Sequence, residues 1–223
     1  MFDLISRYDS QILDAFWVTI KLTFFSAIGA LVIGTVVAGM RVSPIPVARW
    51  VGATYVAIFR NTPLTLIIVF TSLGLYTTLG WKLAGDDLRE NNYRWAIIGL
   101  SVYTAAFVCE SLRSGINTVA LGQSEAGRSL GFGFTQNLRL IVLPQAFRAV
   151  IAPLGSVLIA LTKNTTVASV IGVVEAAYLM GEMNENEAAV LAVGAIFALG
   201  FIILTLPTGL LFGWLAKRYE VAR

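Results

Sequence analysis

Lys163, Asn164, Thr165 and Thr166 place an ammonium, an amide and two hydroxyls within about one helical turn, inside an otherwise apolar run. That set can hold the carboxylate and the amino group of a passing amino acid. Arg60, Arg113 and Glu110 are further charges close to long apolar stretches, and Asn61 and Thr62 directly follow Arg60. Charges at membrane depth are costly unless they are paired or face a water-filled path. Arg60, Asn61, Thr62, Glu110, Lys163, Asn164, Thr165 and Thr166 therefore form a candidate translocation path. The plainer alternative makes Lys163 and Glu110 a structural interhelical pair, or lets Lys163 snorkel to an interface.

Other chemistries lack their residues. The chain has no histidine, which removes Ser-His-Asp, Cys-His and His-metal arrangements, and no metal site is expected. No phosphate loop of the form Gly-x-x-x-x-Gly-Lys-Ser/Thr is present, and Gly131-Phe132-Gly133 is followed by Gln136 where a dinucleotide fingerprint needs its third glycine. No paired carboxylates sit on a plausible catalytic scaffold, and no nucleic-acid-binding module is visible. A single cysteine, Cys109, permits no intrachain disulfide. The chain reads as neither an enzyme nor a cofactor protein.

One polar stretch stands between apolar runs. Ser124-Glu125-Ala126-Gly127-Arg128-Ser129-Leu130-Gly131 is a short helix-forming patch that Gly131 should end, since only glycine takes the left-handed conformation freely. A second patch runs to Ile141-Val142-Leu143-Pro144, and Pro144 favours a helix boundary. Two short helices at an angle make a knob over roughly residues 120–146, with Leu130, Phe132 and Phe134 as its apolar tip.

Glu125-Ala126-Gly127, three residues, Gly131, nine residues, Ile141, one residue and Leu143-Pro144 closely resemble the EAA loop of ABC importer permeases. Gly127 in place of the second alanine is the one departure from that pattern. The stretches Phe59-Arg60-Asn61-Thr62-Pro63-Leu64, Tyr103 through Glu110 to Arg113, Gly122-Gln123 and Lys163-Asn164-Thr165-Thr166 extend the resemblance to the polar amino-acid branch, over roughly residues 55 to 175. The resemblance implies a type I importer permease fold and a coupling role for Glu125, Ala126, Gly127, Gly131, Ile141, Leu143 and Pro144. It also implies the partners: two ATP-binding subunits that hold the ATP and magnesium, a second permease subunit (identical or paralogous), and an extracytoplasmic amino-acid-binding protein. The branch carries polar or charged amino acids, and the basic groups near the membrane lean weakly toward glutamate.

The elements that must position these residues are membrane spans. Of 223 residues, 57% are hydrophobic and 13% charged, with a mean hydropathy of +0.78, so lipid is the solvent of this chain. The composition and runs predict an all-α integral membrane protein, one domain over 1–223, with five transmembrane helices and a cytoplasmic two-helix loop. Spans are expected near 16–40, 62–79, 95–112, 149–174 and 188–215. Residues 1–15 read as a short polar lead without a removable signal peptide. Ala30, Gly34 and Ala38 fall on one face of the first span and would let a second helix approach closely. Residues 41–60 mix prolines, arginines and aromatics as an interfacial segment would, and 175–187 read as a solvated acidic face.

Basic residues set the orientation. Arg41, Arg49, Arg60, Arg113, Arg128, Arg139, Arg148, Lys217, Arg218 and Arg223 fall on one side, against Arg7, Lys82, Arg89 and Arg94 on the other. The first group marks the cytoplasm, so the N-terminus is expected outside and the C-terminus inside a bacterial cytoplasmic membrane. A self-contained, ion-coupled secondary transporter or channel is the alternative, though such proteins usually carry internal repeats, and none is visible here.

Overall fold

A computed structural model describes residues 2–219; Arg223, assigned above to the cytoplasmic side, lies outside the described residues. The chain is an all-α membrane bundle. Helix α1, Phe2–Val42, runs far past the length a bilayer demands. The span was expected from about residue 16, but the helix begins at Phe2. Leu4, Tyr8, Ile12 and Ala15 recur at helical spacing among Asp3, Arg7, Asp9 and Asp14, and this apolar stripe packs in a buried cluster with Leu179, Met183 and Phe197. The backbone leaves helical angles only at Tyr8.

Most of the stretch expected at the interface is helical, as α2, Pro46–Asn61, and α3, Leu64–Val69, continues as a π-helical stretch over Phe70–Thr78. The two halves meet at 102°. Pro63 explains the bend: it biases Thr62 out of the helical region, and Thr62 is extended at φ −99° and ψ 131°. The second span expected at 62–79 is thus the Leu64–Thr78 half, set at a sharp angle to α2.

Helix α4, Leu88–Asn117, starts where the Asp87 carboxylate accepts from the Arg89 and Glu90 backbone N–H groups. It packs along α1, and the small-residue face predicted there is the seam. Ala30 and Ala38 are buried, and a Cβ on Gly34 would stand 2.9 Å from the Ala105 carbonyl oxygen.

The knob comprises α5, Leu121–Ser129, and α6, Phe134–Asn137. A π turn over Leu138–Val142 then leads into α7, Leu143–Asn164, and a 3₁₀ segment over Thr165–Ile171. The boundary expected at Pro144 appears as the change from the π turn to α7, with Pro144 in the first turn of α7, while the rod continues from Phe134 to Ile171.

Helix α8, Ala176–Glu187, and α9, Val190–Tyr219, complete the bundle. The solvated acidic face expected at 175–187 is only partly so. Glu175 is fully buried, caps α8 by accepting from Ala177 N at 2.9 Å and Tyr178 N at 3.0 Å, and burial pushes its carboxyl up to about 7. The main core joins Leu22, Ile68, Leu100 and Leu161, from α1, α3, α4 and α7.

Candidate functional site

The knob is built by one helix stop. Gly131, at φ +84°, follows α5 in the left-handed region. Phe132 N donates to Gly127 O at 3.1 Å and Gly131 N to Arg128 O at 2.9 Å, the two bonds of a Schellman turn. Asn137 then ties the halves together, donating Nδ2 to both Ser124 O and Ser124 Oγ at 2.8 Å. Gly127 lies buried against Ile141, whose Cδ1 would be 2.5 Å from an added Cβ, so the Ile141 side chain packs directly on the α5 backbone. Glu125 and Ala126 remain exposed, as do Leu143 and Pro144. Of the expected apolar tip, Leu130 (76% exposed) and Phe134 (52%) project outward and Phe132 is half-buried. Glu125 makes no ion pair among the described residues.

The charged half of the candidate path gathers on Glu110. Arg41 from the end of α1 pairs with its Oε1, Arg113 reaches it through Nη2 at 3.1 Å and Nε at 3.3 Å, and Arg60 Nη1 stands 3.6 Å from Oε2. Three guanidiniums face one carboxylate, which leaves two positive charges unbalanced. Lys163 is not the partner of Glu110; it is exposed, and no acid pairs with it among the described residues.

Two clefts adjoin these groups. The first, about 270 Å3, lies between α4 and α7 and is lined by Tyr103, Thr104, Phe107, Ser156 and Asn164 among others. Thr104 is buried and its Oγ1 has no hydrogen-bond partner among the described residues. The second, about 310 Å3, is lined by Val56, Ala57, Arg60, Asn61 and Phe107. Phe107 is the wall common to both, and the Arg60 guanidinium lies 5.7 Å from its ring centroid.

The structure thus brings Arg60, Asn61 and Asn164 to two adjoining clefts, holds Glu110 among the arginines, leaves Lys163 exposed and commits the three threonine hydroxyls locally. Thr165 is buried and donates to Thr162 O at 2.8 Å, Thr166 to Lys163 O at 2.7 Å, and Thr62 to Ile58 O at 2.8 Å. Thr104, Phe107 and Ser156 were not singled out as path residues. Each is unremarkable in an apolar run, and only the apposition of α4 and α7 places them at a cleft. Among the described residues no group of three or more His, Cys, Asp or Glu side chains could hold a metal.

Residues 15–221 match the family described as the binding-protein-dependent transport system inner membrane component. The glutamate transport system permease protein GluC of Corynebacterium efficiens is 57% identical over 218 residues, covering 96% of both chains. The probable glutamine ABC transporter permease protein GlnM of Bacillus subtilis is 34% identical over 99% of this chain and 96% of its own. In fold, the chain is similar to a crystal structure of an amino acid ABC transporter with histidines, with a TM-score of 0.86, 24% identity and 98% of each chain covered. A membrane bundle with this knob, matched along nearly its whole length, belongs to the family of binding-protein-dependent transport system inner membrane components.

Proposed function

We propose that this chain is the transmembrane permease subunit of an ATP-driven importer for polar amino acids, with glutamate as its substrate. The observation that carries the proposal is the 57% identity to a relative named for glutamate transport. The surplus of guanidiniums around Glu110 supports an anionic cargo. In this reading the protein crosses the cytoplasmic membrane with its N-terminus outside and the knob inside. It works beside a second permease, two ATP-binding subunits that hold ATP and magnesium, and an outer binding protein that delivers the amino acid.

The chain's own part is mechanical and electrostatic. Closure of the ATP-binding subunits would press on Leu130, Phe134 and Glu125, the exposed side chains of the knob. The Schellman turn at Gly131 and the Asn137 bridge to Ser124 keep the knob stiff. Helix α6 runs without a break through the π turn into α7, so displacement at Phe134 reaches Asn164 at the cleft. A second permease covering the face of α4 and α7 would enclose Ser156, Asn164 and Lys163 away from lipid.

Amino acids screened for stimulation of ATP hydrolysis by the purified complex, with its binding protein, test the substrate. Glutamate should stimulate and arginine should not; stimulation by arginine alone would refute the glutamate assignment.

A further inference from the structure

We infer that Arg60, with Asn61, forms an inner carboxylate subsite, separated by Phe107 from the cleft at Thr104 and Asn164, through which an anionic amino acid leaves the path. The inference rests on the glutamate reading and extends it to a residue and a step. Arg60 differs from its two neighbours on Glu110. Arg113 makes hydrogen bonds to the carboxylate and Arg41 contacts it directly, whereas Arg60 at 3.6 Å is beyond hydrogen-bond distance and is held by charge alone. Its side chain is 47% exposed, against 20% for Arg41 and 34% for Arg113. Its fork of N–H donors makes no hydrogen bond among the described residues, and that fork suits a carboxylate.

The second cleft offers the space. Its volume of about 310 Å3 is lined by Arg60, Asn61 and Phe107 together with Val56 and Ala57. Asn61 donates Nδ2 to Ala57 O at 2.7 Å, which leaves its amide oxygen as an acceptor for an ammonium group. Phe107 belongs to both clefts, and ring and guanidinium are close enough to move together. Glu110 has a second consequence: it competes with any carboxylate that reaches Arg60. A path must bind its cargo weakly enough to release it, and a guanidinium shared with a fixed carboxylate does so.

Arg60→Gln and Arg60→Lys, each in the full transporter reconstituted with its ATP-binding subunits and binding protein, test the subsite through initial glutamate uptake rates. The maximal rate should fall about tenfold in Arg60→Gln, the scale of one charge-assisted hydrogen bond, with an intermediate loss in Arg60→Lys. The apparent KM should change little, because capture from outside belongs to the binding protein. A wild-type rate in Arg60→Gln, or equal impairment of both variants, would overturn the subsite, the latter because the charge that lysine keeps should preserve part of the rate. Should Arg60→Gln fail to assemble, a wild-type rate in Arg60→Lys overturns it and a reduced one supports it. Absence of glutamate uptake by the wild-type complex would instead remove the glutamate reading on which the subsite depends.

Discussion

Glu110 and Glu175 are two carboxylates taken out of water, and the chain accommodates them differently. Glu110 stays paired, with Arg41, Arg60 and Arg113 around it. Glu175, between the fourth and fifth spans, has no cation paired with it among the described residues and relies on two backbone N–H donors at the start of α8 and the Thr19 hydroxyl. Those donors favour its charged form, but burial outweighs them and the carboxyl titrates near 7. Its folded-state value lies above the unfolded one, so full stability is present below about pH 4.5 and is lost as pH rises through about 7, by roughly 3 kcal/mol. The sequence contains no histidine to mask this window. Thermal unfolding in detergent should therefore show a lower Tm at pH 8 than at pH 5, and Glu175→Gln should flatten that difference; identical melting of wild type and variant at both pH values would contradict it. Glu110 was recognisable from sequence as a charge in an apolar run, but its partner Arg41 is 69 positions away. Glu175 was misread as solvated because its acidic neighbours Glu182 and Glu185 are exposed, while contacts with α1 bury it.

Among elements, the knob and the α1–α4 seam were legible because their signals are local. A glycine after a helix-forming patch means a left-handed stop wherever it lies, and Gly131 is one. Gly131→Val places a β-branched residue at φ +84°, a strain of at least about 1 kcal/mol. It should leave the protein in the membrane and lower ATP-driven uptake severely by distorting the knob. Glu125→Lys should instead weaken the hold on the ATP-binding subunit, read as its loss on co-purification, because a basic partner would be left unpaired. Normal uptake and normal co-purification in both variants would end the coupling role. At the seam, Gly34→Val must push Val108 and the Ala105 carbonyl away and should cost about 1–3 kcal/mol in unfolding assays. Gly39→Ala, with nothing within 4 Å of the new Cβ, should be neutral or slightly stabilising; equal effects at the two positions would refute the close approach. The bend between α2 and α3 was not legible as a span geometry. Pro63 signals a boundary, but the 102° angle depends on where α2 packs, with Val56 against Val37, Ala38, Ala106 and Cys109.

At the scale of the molecule, the proposed function rests on two features: a charge asymmetry that would orient the bundle and a knob that would couple it to separate ATP-binding subunits. Cysteines placed at Asp86 or Glu185 should react with an impermeant maleimide in intact cells, and one at Ser129 only after permeabilisation. The native Cys109 is buried and should contribute no background, and the reverse labelling pattern would refute the orientation. The spans themselves were readable from composition, since apolar length alone defines most of them. What composition could not supply is the division of polar groups between two clefts, because Phe107, Arg60 and Asn164 meet only when three helices pack. The central claim is that this chain moves glutamate only when a separate ATP-binding subunit drives it. Glutamate uptake into sealed vesicles, with and without that subunit and ATP, measures the claim directly in the presence of the binding protein. Uptake that requires both the subunit and ATP is the predicted result; uptake by the permease alone, driven by an ion gradient, would contradict it.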